Sequence, residues 1–120
     1  MINFDVQFNL DGLTENVAVM ADKVQRKAAL ELFGELLQTT PIDTGRARAG
    51  WGMDARQGNE VPPRDQKAYR PKSPVAPQGV PFIIVYNNVE YIVRLNEGHS
   101  QQAPKRFVER AVDKVARGLK

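Results

Sequence analysis

Over residues 2–38 the chain reads INFDVQFNL, DGLT and ENVAVMADKVQRKAALELFGELLQ, and the spacing of the apolar residues changes within this stretch. From residue 2 to residue 10, apolar and polar side chains alternate, which predicts a half-buried strand. From Glu15 to about Gln38 there is no proline, and apolar residues recur at steps of three and four, which predicts one long amphipathic helix. Its apolar positions are Val17, Met20, Val24, Ala28, Leu32, Phe33, Leu36 and Leu37.

Short signals mark the ends and the middle of this helix. Asp11-Gly12 predicts a turn, and the hydroxyl of Thr14 is suited to cap the first helical N–H groups. Pro41 ends the helix, because its ring disfavours helical geometry at the preceding residue. Gly34 costs a helix interior about 1 kcal/mol relative to alanine, so it marks either a close packing contact or a tolerated defect.

The residues after the first helix predict a compact turn and then a second strand. Asp43 and Thr44 can bond their own backbone, and Gly45 can take a positive φ angle. From Arg46 the period becomes two, so we expect the turn to aim Arg46 and Arg48 at one surface. One face of this strand holds Ala47, Ala49, Trp51 and Met53, and the other holds Arg46, Arg48 and Asp54.

The second half of the chain predicts a loop, a strand, a short element and a helix. Residues 56–79 hold five prolines, two glycines and seven charged side chains, which predicts a long exposed loop or arm. Residues 80–86 are apolar on both faces, as in a central strand, and Asn87-Asn88 predicts a turn. Residues 91–95 fit a strand or a helical turn, and their alternation favours the strand. Pro104 is suited to open a last helix.

This order of elements predicts an α+β fold: a small, mainly antiparallel sheet packed by one long N-terminal helix and one C-terminal helix, with a long Pro-rich loop. The chain has 120 residues, which is the size of one domain. We therefore expect residues 1–120 to form a single domain, with the flexible loop or arm at about 56–79.

The residue types present argue against an enzyme. The chain has no cysteine and one histidine, His99, which excludes thiolate nucleophiles and multi-histidine metal sites. Ser100 follows His99, but an ordinary polar loop explains the pair better than a catalytic one. No glycine-rich phosphate loop occurs, and the carboxylates follow no metal-ligand spacing. We predict no catalysis, no cofactor and no metal site.

Hydropathy and charge bear on location and partners. The apolar run at 80–86 is too short to cross a bilayer, and the N-terminus lacks signal-peptide features, so we expect synthesis in the cytoplasm and no membrane partner. Residues 1–45 carry a net charge of −4, whereas residues 46–72 and 105–120 each carry +4. Such a division can produce attraction within one molecule or between neighbouring copies of the chain.

Nucleic acid is the alternative partner of this charge pattern. Basic residues concentrate between 46 and 72, and Trp51 and Tyr69 lie among them as candidates for base stacking. A solvated loop of mixed charge explains the pattern better, since basic runs commonly serve solubility. The basic residues are Arg46, Arg48, Arg56, Arg64, Lys67, Arg70 and Lys72.

Two blocks of sequence resemble a family of tailed-bacteriophage morphogenesis proteins. The first is Thr40-Pro41-Ile42-Asp43-Thr44-Gly45-Arg46-Ala47-Arg48 followed by Trp51. The second comprises Asn87-Asn88, Tyr91, Leu95, Glu97-Gly98-His99-Ser100 and Gln102-Ala103-Pro104. The family includes head-tail joining and tail-completion proteins of the neck, among them the lambdoid minor tail protein Z type.

The resemblance implies a structural virion protein of the tail or neck, made in the host bacterial cytoplasm. It implies a ring, commonly of six copies, around the DNA channel, with adjacent neck, tail terminator or tail-tube proteins as partners. A tail terminator protein is the alternative within this class, and a small basic nucleic-acid-binding protein is the alternative outside it. Non-specific contact with DNA in the channel is expected of basic side chains that face the lumen.

The candidate site residues follow from the two blocks and the loop. Turn and interface candidates are Pro41, Asp43, Thr44, Gly45, Arg46, Arg48, Trp51, Glu97, Gly98, His99, Ser100 and Pro104. Candidates for contact with the DNA channel or a partner are Arg64, Lys67, Arg70 and Lys72. We expect the first set to act mainly as architecture, because these are residues that turns demand.

Overall fold

A computed structural model describes residues 2–7, 15–42, 45–98 and 106–118, and these residues form the predicted α+β fold. The elements are β1 (Ile2–Gln7), α1 (Glu15–Thr39), α2 (Arg46–Ala49), β2 (Trp51–Asp54), β3 (Phe82–Asn87), α3 (Ile92–Asn96) and α4 (Phe107–Gly118). The expected turn at Asp11-Gly12, the expected cap Thr14 and the expected helix start at Pro104 lie outside the described residues.

The described strands form an antiparallel sheet in which β3 lies between β1 and β2. Asn87 is opposite Ile2 on one side and opposite Trp51 on the other. Ile83 and Val85 on β3 are fully buried, as expected of a central strand with neighbours on both edges. The prediction of a central strand at 80–86 is therefore confirmed, with a shift of one or two residues at its ends.

The main core lies between the second half of α1, the sheet and α4. Its buried side chains are Leu32, Phe33, Leu36, Ala47, Trp51, Val85, Ile92, Phe107, Val108 and Ala111. The predicted apolar stripe of α1 is correct only in this half, because Met20 and Val24 are 67% and 44% exposed. On α4, Val112 is also largely exposed, so the buried face of that helix is narrower than predicted.

Two predicted strand segments are helical. Residues 46–49 form α2, in which the N–H of Ala49 donates to the carbonyl of Gly45 at 3.0 Å, so the predicted strand begins only at Trp51. Residues 92–96 form α3 instead of the strand favoured at 91–95. For residues 46–49 the reason is that β3 ends at Asn87, opposite Trp51, so no residue of β3 lies beside them. For residues 92–96, both edges of β3 are already paired with β1 and β2. Alternation over four or five residues does not distinguish a strand from one helical turn.

Gly34 lies on α1 at a position where a side chain would meet no other described atom. A Cβ built at this position has nothing within 4 Å, so close internal packing does not explain the glycine. We expect Gly34→Ala to raise the free energy of unfolding by about 0.5–1 kcal/mol, because alanine restricts the unfolded chain and favours helix. Urea denaturation measures this change.

Gly118→Ala is the matched control, because Gly118 also has open space but lies at the last residue of α4, where helices fray. We expect that control to change stability by less than about 0.5 kcal/mol. Destabilisation by Gly34→Ala would mean that the groove at Gly34 is more tightly packed than the structure indicates.

The segment 56–79 contains no helix or strand, as predicted, and most of its side chains are exposed. Its two ends are tied to the body of the same chain. Near the first end, Asn88 donates to the carbonyl of Gly58 at 2.7 Å, and the hydroxyl of Tyr86 donates to Glu60 at 2.8 Å. At the second end, the N–H of Gly79 donates to Asp22 at 3.0 Å. The loop therefore already has partners within its own chain.

Candidate functional site

The side chain of Arg46 lies at the centre of a junction between the two sequence blocks. Gly45, with φ +89°, reverses the chain in a region that favours glycine, and α2 follows at once. Arg46 is only 7% exposed, which corrects the expectation that it points at a surface. Its Nη1 donates to Glu90 Oε1 at 2.8 Å, and its Nε donates to the carbonyl of Pro62 at 2.9 Å.

The aromatic ring of Tyr91 and the loop complete this junction. The guanidinium carbon of Arg46 lies 5.8 Å from the centroid of the Tyr91 ring, which is within the range of a cation–π contact. Arg64 on the loop forms an ion pair with the same Glu90 oxygen, with its Nη2 at 2.9 Å. Glu90 thus receives two guanidinium groups, one buried and one exposed, and it connects α2 to the loop.

Glu90 and Arg46 shift each other's pKa. The hydrogen bond from Arg46, followed by backbone hydrogen bonding, lowers the pKa of Glu90 to about 2. The same hydrogen bond to Glu90 raises the pKa of Arg46. Both groups are therefore ionised at neutral pH, and the pair is charge-assisted and directional.

The low pKa of Glu90 predicts that the junction is sensitive to acid. Because folding lowers this pKa, the carboxylate stabilises the fold above its ordinary pKa of 4.5, and that stabilisation is lost as the pH falls from about 4.5 towards 2. We expect Glu90→Gln to lower the urea midpoint at neutral pH, and we expect the difference from wild type to shrink across this window. A difference that does not change with pH would contradict the assignment.

Trp51 joins the end of α1 to the sheet. Its side chain is fully buried, and its Nε1 donates to Thr40 Oγ1 at 2.8 Å. The hydroxyl of Thr40 in turn donates to the carbonyl of Leu36 in the last turn of α1. Pro41, also buried, follows directly. The prediction that Trp51 lies in the core is confirmed, and base stacking by Trp51 is wrong because its ring is inaccessible.

Asn87 links the second block to the first from the end of β3. Its buried amide donates to the carbonyl of Ala47 at 2.8 Å, and its Oδ1 accepts from the N–H of Val89 at 3.0 Å. A Cβ on Gly50 would lie only 2.7 Å from that Oδ1, so glycine is needed for the close approach. Asn87 is therefore a connector between the blocks and the last residue of β3, and the turn predicted at Asn87-Asn88 comes later, at residues 90–91.

The other candidates of the two blocks are spread over different environments. Arg48 is half-buried, whereas Glu97 is exposed next to Gly98, whose φ of +99° ends α3. Asp43, Thr44, His99, Ser100 and Pro104 lie outside the described residues. The turn expected before the last helix is thus described only as far as Gly98.

The four loop candidates are all exposed. Arg64 pairs with Glu90, and Lys72 Nζ lies 3.6 Å from Glu60 Oε2. Lys67 and Arg70, between these two pairs, have no ion-pair partner within the described part of the chain. We call residues 67–70 the loop tip, and its two cations are exposed and unpaired within the described part of the chain.

The sequence does not identify two residues, Glu90 and Asn96, that connect separate elements of the fold. Asn96 Oδ1 accepts from the N–H of Val108 at 2.9 Å, which caps α4 from the end of α3. An Asn at the end of a predicted element is the only sequence signal for such a cap. The residue that it binds lies farther along the chain, so local sequence does not identify it.

The described residues contain no group of three or more His, Cys, Asp or Glu side chains that could hold a metal ion. Among the helices in the described ranges, none is long and apolar enough to cross a membrane. Comparisons with protein-family models, with curated proteins and with solved structures gave no match. The functional conclusion therefore depends on the residues and their geometry.

Proposed function

We propose that the chain is a structural virion protein of a tailed bacteriophage, which completes the tail or joins it to the head as a ring around the DNA channel. The proposal starts from the resemblance of two sequence blocks to that morphogenesis family. Each copy would contribute a rigid body made of the sheet, α1 and α4, together with the anchored loop.

The observation that carries the proposal is the contact between the two blocks. Asn87 of the second block donates to the carbonyl of Ala47 of the first block across 40 positions, and the guanidinium of Arg46 lies 5.8 Å from the ring of Tyr91. Between these two contacts, Glu90 forms a 2.8 Å ion pair with Arg46. The meeting of the two blocks at a buried junction supports an architectural motif and therefore the family resemblance.

The junction has a mechanical consequence that suits a ring subunit. Arg46 holds the loop at Pro62, and Glu90 holds it at Arg64, so the exposed loop is fixed relative to the sheet. A loop that is already held in place loses less conformational entropy on docking than a free arm does. Exposed cations on such a loop can contact a neighbouring protein, or DNA phosphates without reading sequence.

Electron microscopy of a lysate tests the proposal, using a phage whose copy of this gene carries an early stop codon. We expect separate DNA-filled heads and tails of normal length, with infectious particles restored when the wild-type gene is supplied in trans. Overlong or absent tails would favour the tail terminator instead. Intact infectious particles without the protein would contradict any essential role as a joint.

Nucleic-acid binding remains the second candidate, because the loop exposes Arg64, Lys67, Arg70 and Lys72 together. Binding of the purified protein to duplex DNA, measured over a series of salt concentrations, separates the two functions. If the protein binds DNA through phosphate contacts, its affinity falls steeply as the salt concentration rises, with a slope set by the number of phosphates contacted. If DNA binding is tight and the stop-codon phage is intact, the nucleic-acid function takes precedence.

A further inference from the structure

A groove runs between α1 and α4 on the side away from the buried face of α1. It has a volume of about 340 Å³ and is lined by Glu31, Gly34, Glu35, Gln38, Lys114 and Val115. Gly34 forms part of its wall without a side chain, although nothing in the described fold would obstruct one. An internal helix glycine has a cost of about 1 kcal/mol, so a group that approaches the α1 backbone from outside would explain it.

The α1 wall of this groove is acidic and only partly neutralised. Glu35 is paired with Lys114 at 3.2 Å. Glu31 lies 3.9 Å from Lys27, which is at the limit of an ion pair, and its side chain is 46% exposed. The groove therefore offers a carboxylate and the amide of Gln38 beside an uncovered stretch of backbone. This chemistry suits a long basic side chain, whose aliphatic stem can lie over Gly34 and Val115.

The loop tip supplies side chains of this kind. Lys67 and Arg70 are exposed and have no ion-pair partner among the described residues, whereas Arg64 and Lys72 on either side are bound to Glu90 and Glu60. The hydroxyl of Tyr69 donates to the carbonyl of Pro63 at 2.7 Å, which closes the loop on itself. Tyr69 also lies next to Gly45, so Lys67 and Arg70 are exposed cations on a loop that is held against the body of its own chain.

We propose that the loop tip of one copy inserts Lys67 or Arg70 into the α1–α4 groove of the next copy, beside Glu31 and over Gly34. This inference rests on the ring assembly proposed above and names the contact that would build it. The loop tip and the groove are different surfaces of one subunit, so the contact is heterologous and generates a ring when the rotation closes. A contact with the groove of the same copy is the competing outcome.

Sedimentation velocity of the purified full chain over a concentration series tests the contact. We expect Gly34→Leu, which fills the groove, and the pair Lys67→Glu with Arg70→Glu to weaken self-association at least about tenfold. The matched controls are Gly118→Leu, which adds the same side chain at a helix glycine outside the groove, and Arg56→Glu with Arg94→Glu, which changes the net charge equally at other exposed sites. Both controls are expected to associate as wild type does.

Charge exchange provides the sharper measurement. Combining Glu31→Lys with Lys67→Glu and Arg70→Glu in one chain is expected to restore part of the lost association. Self-association that persists in both the groove and the loop variants overturns the inference and leaves the ring open to another contact. Wild-type protein that stays monomeric over the whole concentration series also overturns the proposed contact. The proposed function is tested separately, by electron microscopy of the stop-codon lysate.

Cysteine cross-linking distinguishes neighbouring copies from one copy, since the chain has no cysteine of its own. Oxidation of the double variant Glu31→Cys, Arg70→Cys is expected to give covalent oligomers larger than dimers. Each single variant can give dimers at most. A monomer cross-linked within itself, or no cross-link in an associated wild-type-like sample, contradicts the contact.

Discussion

Replacing Trp51 with alanine is expected to lower the free energy of unfolding by about 3–5 kcal/mol. The ring is fully buried among the side chains of the main core, and its removal leaves a cavity that the packed helices cannot close. The change also removes the donor to Thr40, which holds the end of α1. Small domains have about 5–15 kcal/mol of stability, so this variant is expected to be largely unfolded under mild denaturing conditions.

Urea denaturation followed by circular dichroism measures the effect. Trp51→Phe separates the two causes, because it keeps most of the apolar volume and loses the N–H donor, and we expect it to cost about 1–2 kcal/mol. Phe82→Ala is the matched control on the same sheet. Because Phe82 is 37% exposed, we expect this substitution to lower the free energy of unfolding by less than Trp51→Phe does. A loss of under 1 kcal/mol for Trp51→Ala would contradict the core assignment.

Arg46→Ala is expected to cost about 2–3 kcal/mol, which is the range for losing buried hydrogen bonds of a charged group. The variant loses the contacts of Arg46 with Glu90, Pro62 and Tyr91 together. The exposed Glu90 carboxylate can return to water, which keeps the loss below that of a pair buried on both sides. Urea denaturation measures the change in stability.

The same variant has a second signature in the loop. Since Arg46 holds Pro62, we expect trypsin to cleave after Arg64, Lys67 or Lys72 faster in Arg46→Ala than in wild type. Arg48→Ala is the matched control, because Arg48 lies two residues away, is only half-buried and makes no contact with the loop among the described hydrogen bonds. Equal cleavage rates for wild type and Arg46→Ala would show that the junction does not hold the loop.

These two variants also bear on the proposed ring. Both act on the subunit before assembly, Trp51 through the core and Arg46 through the loop. We therefore expect loss of ring formation to follow loss of stability for Trp51→Ala. For Arg46→Ala, the loop-tip contact is expected to weaken even under conditions in which the subunit stays folded.

Parts of the candidate site could be predicted and parts could not. Pro41, Gly45 and Trp51 were identified from turn chemistry and apolar alternation, which are local properties of the sequence. The role of Glu90 was not, because its partner Arg46 is 44 positions away and neither residue is distinctive in its own neighbourhood. The exposed tip cations Lys67 and Arg70 were identified as candidates, but their lack of ion-pair partners within the described chain is a structural finding.

The sequence by itself determined the α+β class, the extent of α1 and the central position of β3. These follow from the period of apolar residues and from proline, which act within a few positions of the chain. Only the tertiary structure decided that 46–49 and 92–96 are helical, that Arg46 is buried, and that the loop is tied to the body. The physical reason is that β3 ends opposite Trp51 with both its edges paired, and that Arg46, Glu90 and Asn87 find their partners through folding.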